Sequence, residues 1–113
     1  MQQIDTISSE PKQRFSLVLD NNETVDFKLY YLGRMQSWYY DFTYKDLTVN
    51  SSKVVLTPNS LRNFRRIIPF GIAFTSDGLV EPFDITDFSS GRVKMYVLNS
   101  DEVNQVEEEI FNS

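Results

Sequence analysis

The stretch SWYYDFTY, residues 37–44, decides the fold because its side chains alternate in character. The large aromatic side chains that share one parity are Trp38, Tyr40, Phe42 and Tyr44. Successive side chains of a β-strand point to opposite faces of its sheet, so this pattern predicts a strand with one buried aromatic face. Tyr39 and Asp41 fall on the other parity, which faces water. An exposed tyrosine is cheap to order and rich in contact area, so both residues are candidates for a protein contact.

This aromatic strand follows a hairpin. Residues 15–20 and 25–31 alternate apolar with polar side chains around a turn-like Asp-Asn-Asn, and Gly33 marks a second turn, so three consecutive antiparallel strands are predicted. Period two returns at residues 70–74 and 92–98, and the last of these has apolar residues on both parities, which predicts cover on both faces. The predicted fold class is mainly β: a small antiparallel β-barrel or sandwich with one short helix and a C-terminal helix.

The short helix is predicted at Leu61 to Ile68. Asn59 or Ser60 can cap its first turn, and Pro69 cannot continue it. Its apolar side chains are expected to pack inward, and three basic ones to point largely outward: Arg62, Arg65 and Arg66. Arginine pairs with carboxylates and stacks on aromatic rings, so this cluster is expected to contact an acidic neighbour, with an ordinary solvated face as the alternative.

A C-terminal helix is predicted from about residue 100. Asn99 and Glu102 have the spacing of a capping box, and apolar residues follow at helical spacing. Three acids, Glu107 to Glu109, lie at the far end, where the helix dipole is itself negative. We expect this end to fray unless a partner supplies cations.

The chain has a length suited to one domain. Residues 1–14 are polar and contain Pro11, which predicts a flexible N-terminal arm, and residues 15–113 are predicted to form a single β-rich domain with an acidic C-terminal tail. Both ends are expected to be mobile in the free protein and ordered by neighbours, because neither buries much apolar surface of its own.

The amino-acid composition excludes most kinds of catalytic and metal-binding site. The chain has no cysteine and no histidine, which removes disulfides, thiolate metal sites and the commonest general base. A pair of carboxylates could still act as in glycosidases, but no such pair stands out, so we expect no enzyme, no cofactor and no metal. The net charge of −5 argues against nucleic acid. The longest apolar stretch, IIPFGIAF, is too short to span a bilayer, and the N-terminus does not read as a secretory signal, so a cytoplasmic origin is expected.

Five segments stand in a recognisable order. They are FSLVLD, SWYYDFTY, LRNFRRIIPFGIAF, DITDF and GRVKMYVLNSDEV. Together they resemble the baseplate plug family of contractile-tailed phages, the cyanophage-type plug proteins, over roughly residues 13–106. The strongest elements are Trp38-Tyr39-Tyr40-Asp41 and the stretch from Gly91 to Tyr96. Aromatic and hydrophobic motifs of this kind specify a fold better than a role.

The resemblance implies a structural virion protein of the tail baseplate. Such a protein plugs or organises the distal end of the tail tube near its axis, as part of a symmetric multimer that contacts other baseplate and tail-hub proteins, and it assembles in the host bacterial cytoplasm. The resemblance implies no chemistry. The candidate interface residues are Tyr39, Asp41, Arg62, Arg65 and Arg66.

Two alternatives stay open at this point. A non-catalytic β-sandwich could bind carbohydrate or a receptor on a platform of Tyr30, Tyr39 and Tyr44, although most of the aromatic residues lie on the core parity. The arginine cluster could instead contact DNA or the tape protein inside the tail, in which case binding would fall steeply with salt.

Overall fold

The structure, a computed structural model, describes residues 2–111. Its seven strands are β1 (Gln2–Ile4), β2 (Lys12–Val18), β3 (Thr24–Leu32), β4 (Ser37–Tyr44), β5 (Leu47–Lys53), β6 (Gly71–Ser76) and β7 (Val93–Leu98). One α-helix, α1 (Ser100–Val106), continues into a turn of π-helix at Glu107–Phe111. Short 3-10 turns lie at Arg62–Phe64 and Asp77–Leu79.

Four consecutive strands form the first sheet, which we call the meander sheet. Its order is β2-β3-β4-β5, with every neighbour antiparallel. The second sheet has three strands in the order β1-β7-β6. The alternation predicted for the aromatic strand is confirmed: Trp38, Tyr40 and Phe42 are each at most 1% exposed, whereas Tyr39 and Asp41 are only half-buried.

The core lies between the two sheets, which pack as a sandwich and do not close into a barrel. Rings from β4 meet rings of the second sheet and its loops there: Tyr40 lies 5.8 Å from Phe74, Phe42 lies 5.9 Å from Phe70, and Trp38 meets Phe88 edge-on at 5.2 Å. Aromatic pairs at such distances stabilise a core beyond the area they bury. The predicted fold class is confirmed in its sandwich form.

The acidic helix, by which we mean residues 100–111, forms a third layer. Val103 packs with Ala73 and Leu98, and Tyr96 packs on the same cluster, so α1 covers the face of the second sheet that points away from the core. This confirms the cover on both faces predicted for the last strand. The capping box is also confirmed, since Asn99 Oδ1 accepts from the Glu102 N–H at 2.9 Å and Glu102 Oε1 accepts from the Asn99 N–H at 3.0 Å.

The helix predicted at Leu61 to Ile68 is wrong in length. Only a 3-10 turn forms at Arg62–Phe64, and further turns lead to Pro69. A segment this short gains few helical hydrogen bonds for the cost of nucleation. The inward packing is confirmed: Leu61 is 1% exposed and Ile68 is 6% exposed.

The Ser-Asp-Gly sequence that begins with the last residue of β6 does not close a tight hairpin. Gly78 takes a left-handed φ of 74°, but the chain then runs through residues 79–92 before β7 begins. The strands still pair antiparallel, with Gly71 opposite Leu98 and Ser76 opposite Val93. The connection is therefore a long loop that lies across one end of the sandwich.

The predicted N-terminal arm has contacts in the structure. β1 pairs with β7, Ile7 is buried, and β2 begins at Lys12, within the segment assigned to the arm. The mobility of residues 1–14 and of the acidic tail in the free protein stays a prediction. Met1, Asn112 and Ser113 lie outside the described residues. Across residues 2–111, no helix has both the length and the apolar character needed to span a membrane.

Candidate interaction surfaces

The outward side of the meander sheet carries a row of side chains across all four strands. Lys12 lies opposite Tyr30, Tyr30 opposite Tyr39, and Tyr39 opposite Lys53. Directly opposed residues of antiparallel strands share one face. The two tyrosine rings stack with their centroids 6.0 Å apart and their planes 22° from parallel. We call this outward surface, completed by Arg14, Lys28 and Asp41, the tyrosine face.

Asp41 has partners within its own chain. Its Oδ1 accepts from the Tyr30 hydroxyl at 3.1 Å and from the Ser51 N–H at 2.7 Å. Burial raises the pKa of Tyr30 above its ordinary value, and the hydrogen bond to Asp41 acts in the same direction. Asp41 therefore fixes the position of the Tyr30 ring and of the bulged strand β5. The Tyr39 ring, by contrast, has no hydrogen bond to Asp41.

The tyrosine face is basic although the chain is acidic. Its cations are Lys12, Arg14, Lys28 and Lys53, against the acids Asp26 and Asp41 on the same side of the sheet. Within residues 2–111 none of these four cations forms an ion pair. Lys28 lies 5.3 Å from the centre of the Tyr30 ring, close enough for a cation–π contact. Unpaired cations beside ordered rings make this face suited to an acidic partner.

Sequence reasoning missed Lys12 and Arg14, because it placed both in the arm. The signal was present, since both lie on the parity opposite Phe15 and Leu17 and so continue the alternation of β2 backwards.

The arginine cluster lies elsewhere, against the acidic helix. Arg62 donates two hydrogen bonds to Glu107, from Nε to Oε2 at 3.0 Å and from Nη2 to Oε1 at 2.7 Å. Arg65 Nε lies 3.4 Å from the same Oε1. A forked arginine–carboxylate pair of this kind is among the stronger surface ion pairs. The cations that the end of the helix needs are thus supplied by the same chain.

Arg66 differs from its two neighbours. It is exposed and next to Ile67, whose side chain is 68% exposed. The structure therefore groups Arg62 and Arg65 with Glu107, separates them from Tyr39 and Asp41 on the meander sheet, and leaves Arg66 accessible.

The three tyrosines considered for a carbohydrate platform do not share a face. Tyr44 is 6% exposed, packs edge-on against Phe70 at 5.4 Å, and donates its hydroxyl to Glu23 Oε1 at 2.7 Å. Only Tyr30 and Tyr39 remain as an outward pair. The platform of three rings is therefore wrong.

An apolar surface that sequence reasoning did not single out lies at the end of the sandwich where the β3–β4 turn and the long loop meet. Its exposed members, which we call the apolar end, are Leu32, Met35, Val55, Leu79, Val80 and Phe83. The loop is fixed to this end because the Tyr31 hydroxyl donates to the Phe83 carbonyl at 2.8 Å and the Leu56 N–H donates to Glu81 Oε2 at 2.8 Å. Large apolar patches exposed by a small domain typically mark contact surfaces.

A buried ion pair holds the base of the same loop. Asp87 is 3% exposed, and its carboxylate accepts from Arg92 at 2.8 and 2.7 Å and from the N–H groups of Phe83 and Asp84 at 2.7 and 2.8 Å. Burial alone would raise the pKa of Asp87, but the Arg92 guanidinium and these N–H groups outweigh it and hold the pKa below its ordinary value. These hydrogen bonds tie Asp87 to Arg92 and to the part of the loop that carries Phe83.

The chain matches a family of known proteins. The family described as cyanophage baseplate Pam3 plug gp18 matches residues 1–101 of the 113. No curated protein matches the chain. The matched residues include all seven strands and end one residue after α1 begins, so nearly all of the acidic helix lies beyond them.

Proposed function

The chain belongs to the cyanophage baseplate plug family, and from this membership we propose that it plugs or organises the distal end of the tail tube, near the axis of a contractile tail. A structural role in the phage baseplate, and a place in the virion, follow from the family. The family match over residues 1–101 is the observation that carries the proposal. The family is a structural one, and we propose that the chain has no catalytic activity.

The exposed surfaces support a subunit that is covered by neighbours. Leu79 is 84% exposed and Phe83 is 52% exposed on a loop whose base is joined by the Asp87–Arg92 ion pair. A domain that kept such side chains in water permanently would carry a liability for aggregation. We propose that other baseplate or tail-hub proteins cover these surfaces, that the chain is present in several symmetric copies, and that it assembles in the host cytoplasm without binding nucleic acid.

Within the predicted interface, the residues divide by role. We propose that Tyr39 and Arg66 contact neighbours directly, because both present accessible atoms on the outside of the domain. Arg62 and Arg65 act indirectly, since they position the acidic helix through their ion pairs with Glu107. Asp41 likewise acts through Tyr30 and Ser51.

The first test removes the chain from its phage. Particles assembled without it are expected to lack density at the distal end of the tail tube in cryo-electron microscopy, and to lose infectivity. Supplying the wild-type chain in trans should restore both. Complete, infective particles without the chain would overturn the proposed role.

A second test separates docking from folding. Arg66→Glu should leave thermal unfolding unchanged and reduce incorporation into particles, because Arg66 makes no ion pair within residues 2–111. The matched control is Arg34→Glu, which makes the same charge change at an exposed turn residue. Equal incorporation of both variants would remove Arg66 from the interface and leave it as surface charge.

A further inference from the structure

The domain carries opposite charges on its two outer layers. The tyrosine face, with its four unpaired cations, forms one outer side of the sandwich. The acidic helix covers the outer side of the second sheet, and residues 100–111 contain five acids and no lysine or arginine. The two charged layers therefore face away from each other, with both sheets between them.

Part of the acidic charge is already used within the chain. Glu102 caps α1, and Glu107 pairs with Arg62 and Arg65. Three acids remain exposed on the acidic helix: Asp101, Glu108 and Glu109. These three acids are opposite in charge to the four unpaired cations of the tyrosine face and nearly equal to them in number.

We propose that the tyrosine face of one copy of this chain binds the acidic helix of another copy. This inference rests on the proposed role as a multimeric structural subunit and names the contact between its copies. The pair Tyr30 and Tyr39 supplies an ordered surface between Lys12 and Lys53, on which a helix can lie with its carboxylates beside the lysines. Contacts of this charge pattern set orientation and association rate more than affinity.

The same charge pattern decides the symmetry of the assembly. The two surfaces differ, so the contact is head-to-tail, and a repeated head-to-tail contact closes into a ring when its rotation permits. A twofold dimer would need each copy to place both surfaces against its partner at once, which their positions on opposite sides of the domain prevent. A second copy is favoured over nucleic acid, because the net charge of −5 and the two acids on the tyrosine face repel phosphates.

The test uses two complementary charge reversals in the full chain. One variant, Lys12→Glu with Lys53→Glu, makes the tyrosine face acidic. The other, Glu108→Lys with Glu109→Lys, makes the acidic helix less acidic and locally basic. All four side chains are exposed, so circular dichroism and thermal unfolding should match the wild type. The control for the face reversal, Arg34→Glu with Lys45→Glu, makes the same charge change in two turns. It also breaks the ion pair between Lys45 and Glu23 at 2.7 Å, so its thermal unfolding is measured alongside.

Sedimentation velocity gives the readout. The wild-type chain and the control should associate at low ionic strength and dissociate in about 1 M salt, where the Debye length falls to about 3 Å. Each reversal variant alone should stay monomeric. An equimolar mixture should associate again, into assemblies in which the two variants alternate. The acidic face of one variant meets the basic helix of the other, and the unchanged acidic helix of the first meets the unchanged basic face of the second.

Three results would overturn the contact: a wild-type chain that is monomeric at every concentration, a mixture that does not associate, or a control that dissociates like the face reversal. Incorporation into particles then separates this contact from the proposed function. If the face-reversed variant enters particles normally, the contact between copies is wrong and the baseplate role stands. If particles form and infect without the chain, the role itself fails.

Discussion

The two faces of strand β4 belong to the same eight residues but differ in role: one packs in the core and the other lies on the surface. The inner face places Trp38, Tyr40 and Phe42 in the core, each at most 1% exposed. The outer face presents Tyr39 half-buried beside Asp41. Both faces carry rings stacked with neighbouring strands, at 5.4 Å for Phe27 and Tyr40 and at 6.0 Å for Tyr30 and Tyr39. The difference shows that burial, and not aromatic contact alone, decides which side chains hold the fold and which stay available for binding.

The largest expected effect tests the inner face. Trp38→Ala should lower the free energy of unfolding by about 3 to 5 kcal/mol, because it leaves a cavity among buried rings. It also removes the hydrogen bond from the indole Nε1 to the Asp84 carbonyl at 3.0 Å. Chemical denaturation measures the loss, with Trp38→Phe as the control that keeps an aromatic ring. A loss as small as that of an outer-face substitution would contradict the strand assignment.

Asp87 sharpens the comparison because it is polar and buried. Asp87→Ala should cost about 3 kcal/mol, since it removes the carboxylate partner of Arg92 and leaves two backbone N–H groups without their acceptor. Asp26→Ala, at an exposed acid of the meander sheet, is the matched control and should cost little. If the two substitutions lower the free energy of unfolding equally in denaturation experiments, then burial does not determine the size of the loss.

The same carboxylate gives a pH dependence of stability. Because the folded pKa of Asp87 lies below its ordinary value of 3.8, the ionised form is favoured by folding. Its contribution is fully present above that ordinary value and is lost as pH falls through the lower folded pKa. The difference in unfolding free energy between the wild type and Asp87→Asn should therefore shrink in acid. A difference that grows as pH falls would reverse the sign of this argument.

Glu107 is intermediate between the buried and the exposed residues, with 15% of its side chain exposed. Glu107→Gln removes the charge that Arg62 and Arg65 share, and should cost about 1 kcal/mol because the pair is partly solvated. Hydrogen exchange should show earlier opening of the acidic helix. Glu108→Gln is the control, because Glu108 is exposed. Equal exchange in both variants would mean that the arginines do not hold the helix.

The smallest effect is expected on the outer face. Tyr39→Ala loses the stack with Tyr30 and should lower stability by less than about 1 kcal/mol. The same variant should weaken association of the chain with its partners, as measured by incorporation into particles. A large loss of stability, or normal incorporation, would make Tyr39 a structural residue of the sheet.

Local patterns in the sequence predicted much of this molecule. The alternation in residues 37–44 predicted which rings are buried, because the two faces of a strand are set by backbone geometry alone. The capping box at Asn99 and Glu102 was equally readable, since its two hydrogen bonds join residues three apart. Strands, turns and the ends of helices depend on such short separations.

Only the tertiary structure decided what the charged and exposed residues do. Arg62 and Glu107 are 45 positions apart, and they meet because the acidic helix lies across the second sheet next to the arginine segment. The apolar end likewise combines three separate segments of the chain. No local pattern encodes such encounters, since they depend on how sheets and loops pack. The sequence by itself therefore determined which faces are buried, and packing determined which surface residues are already paired and which are left for a partner.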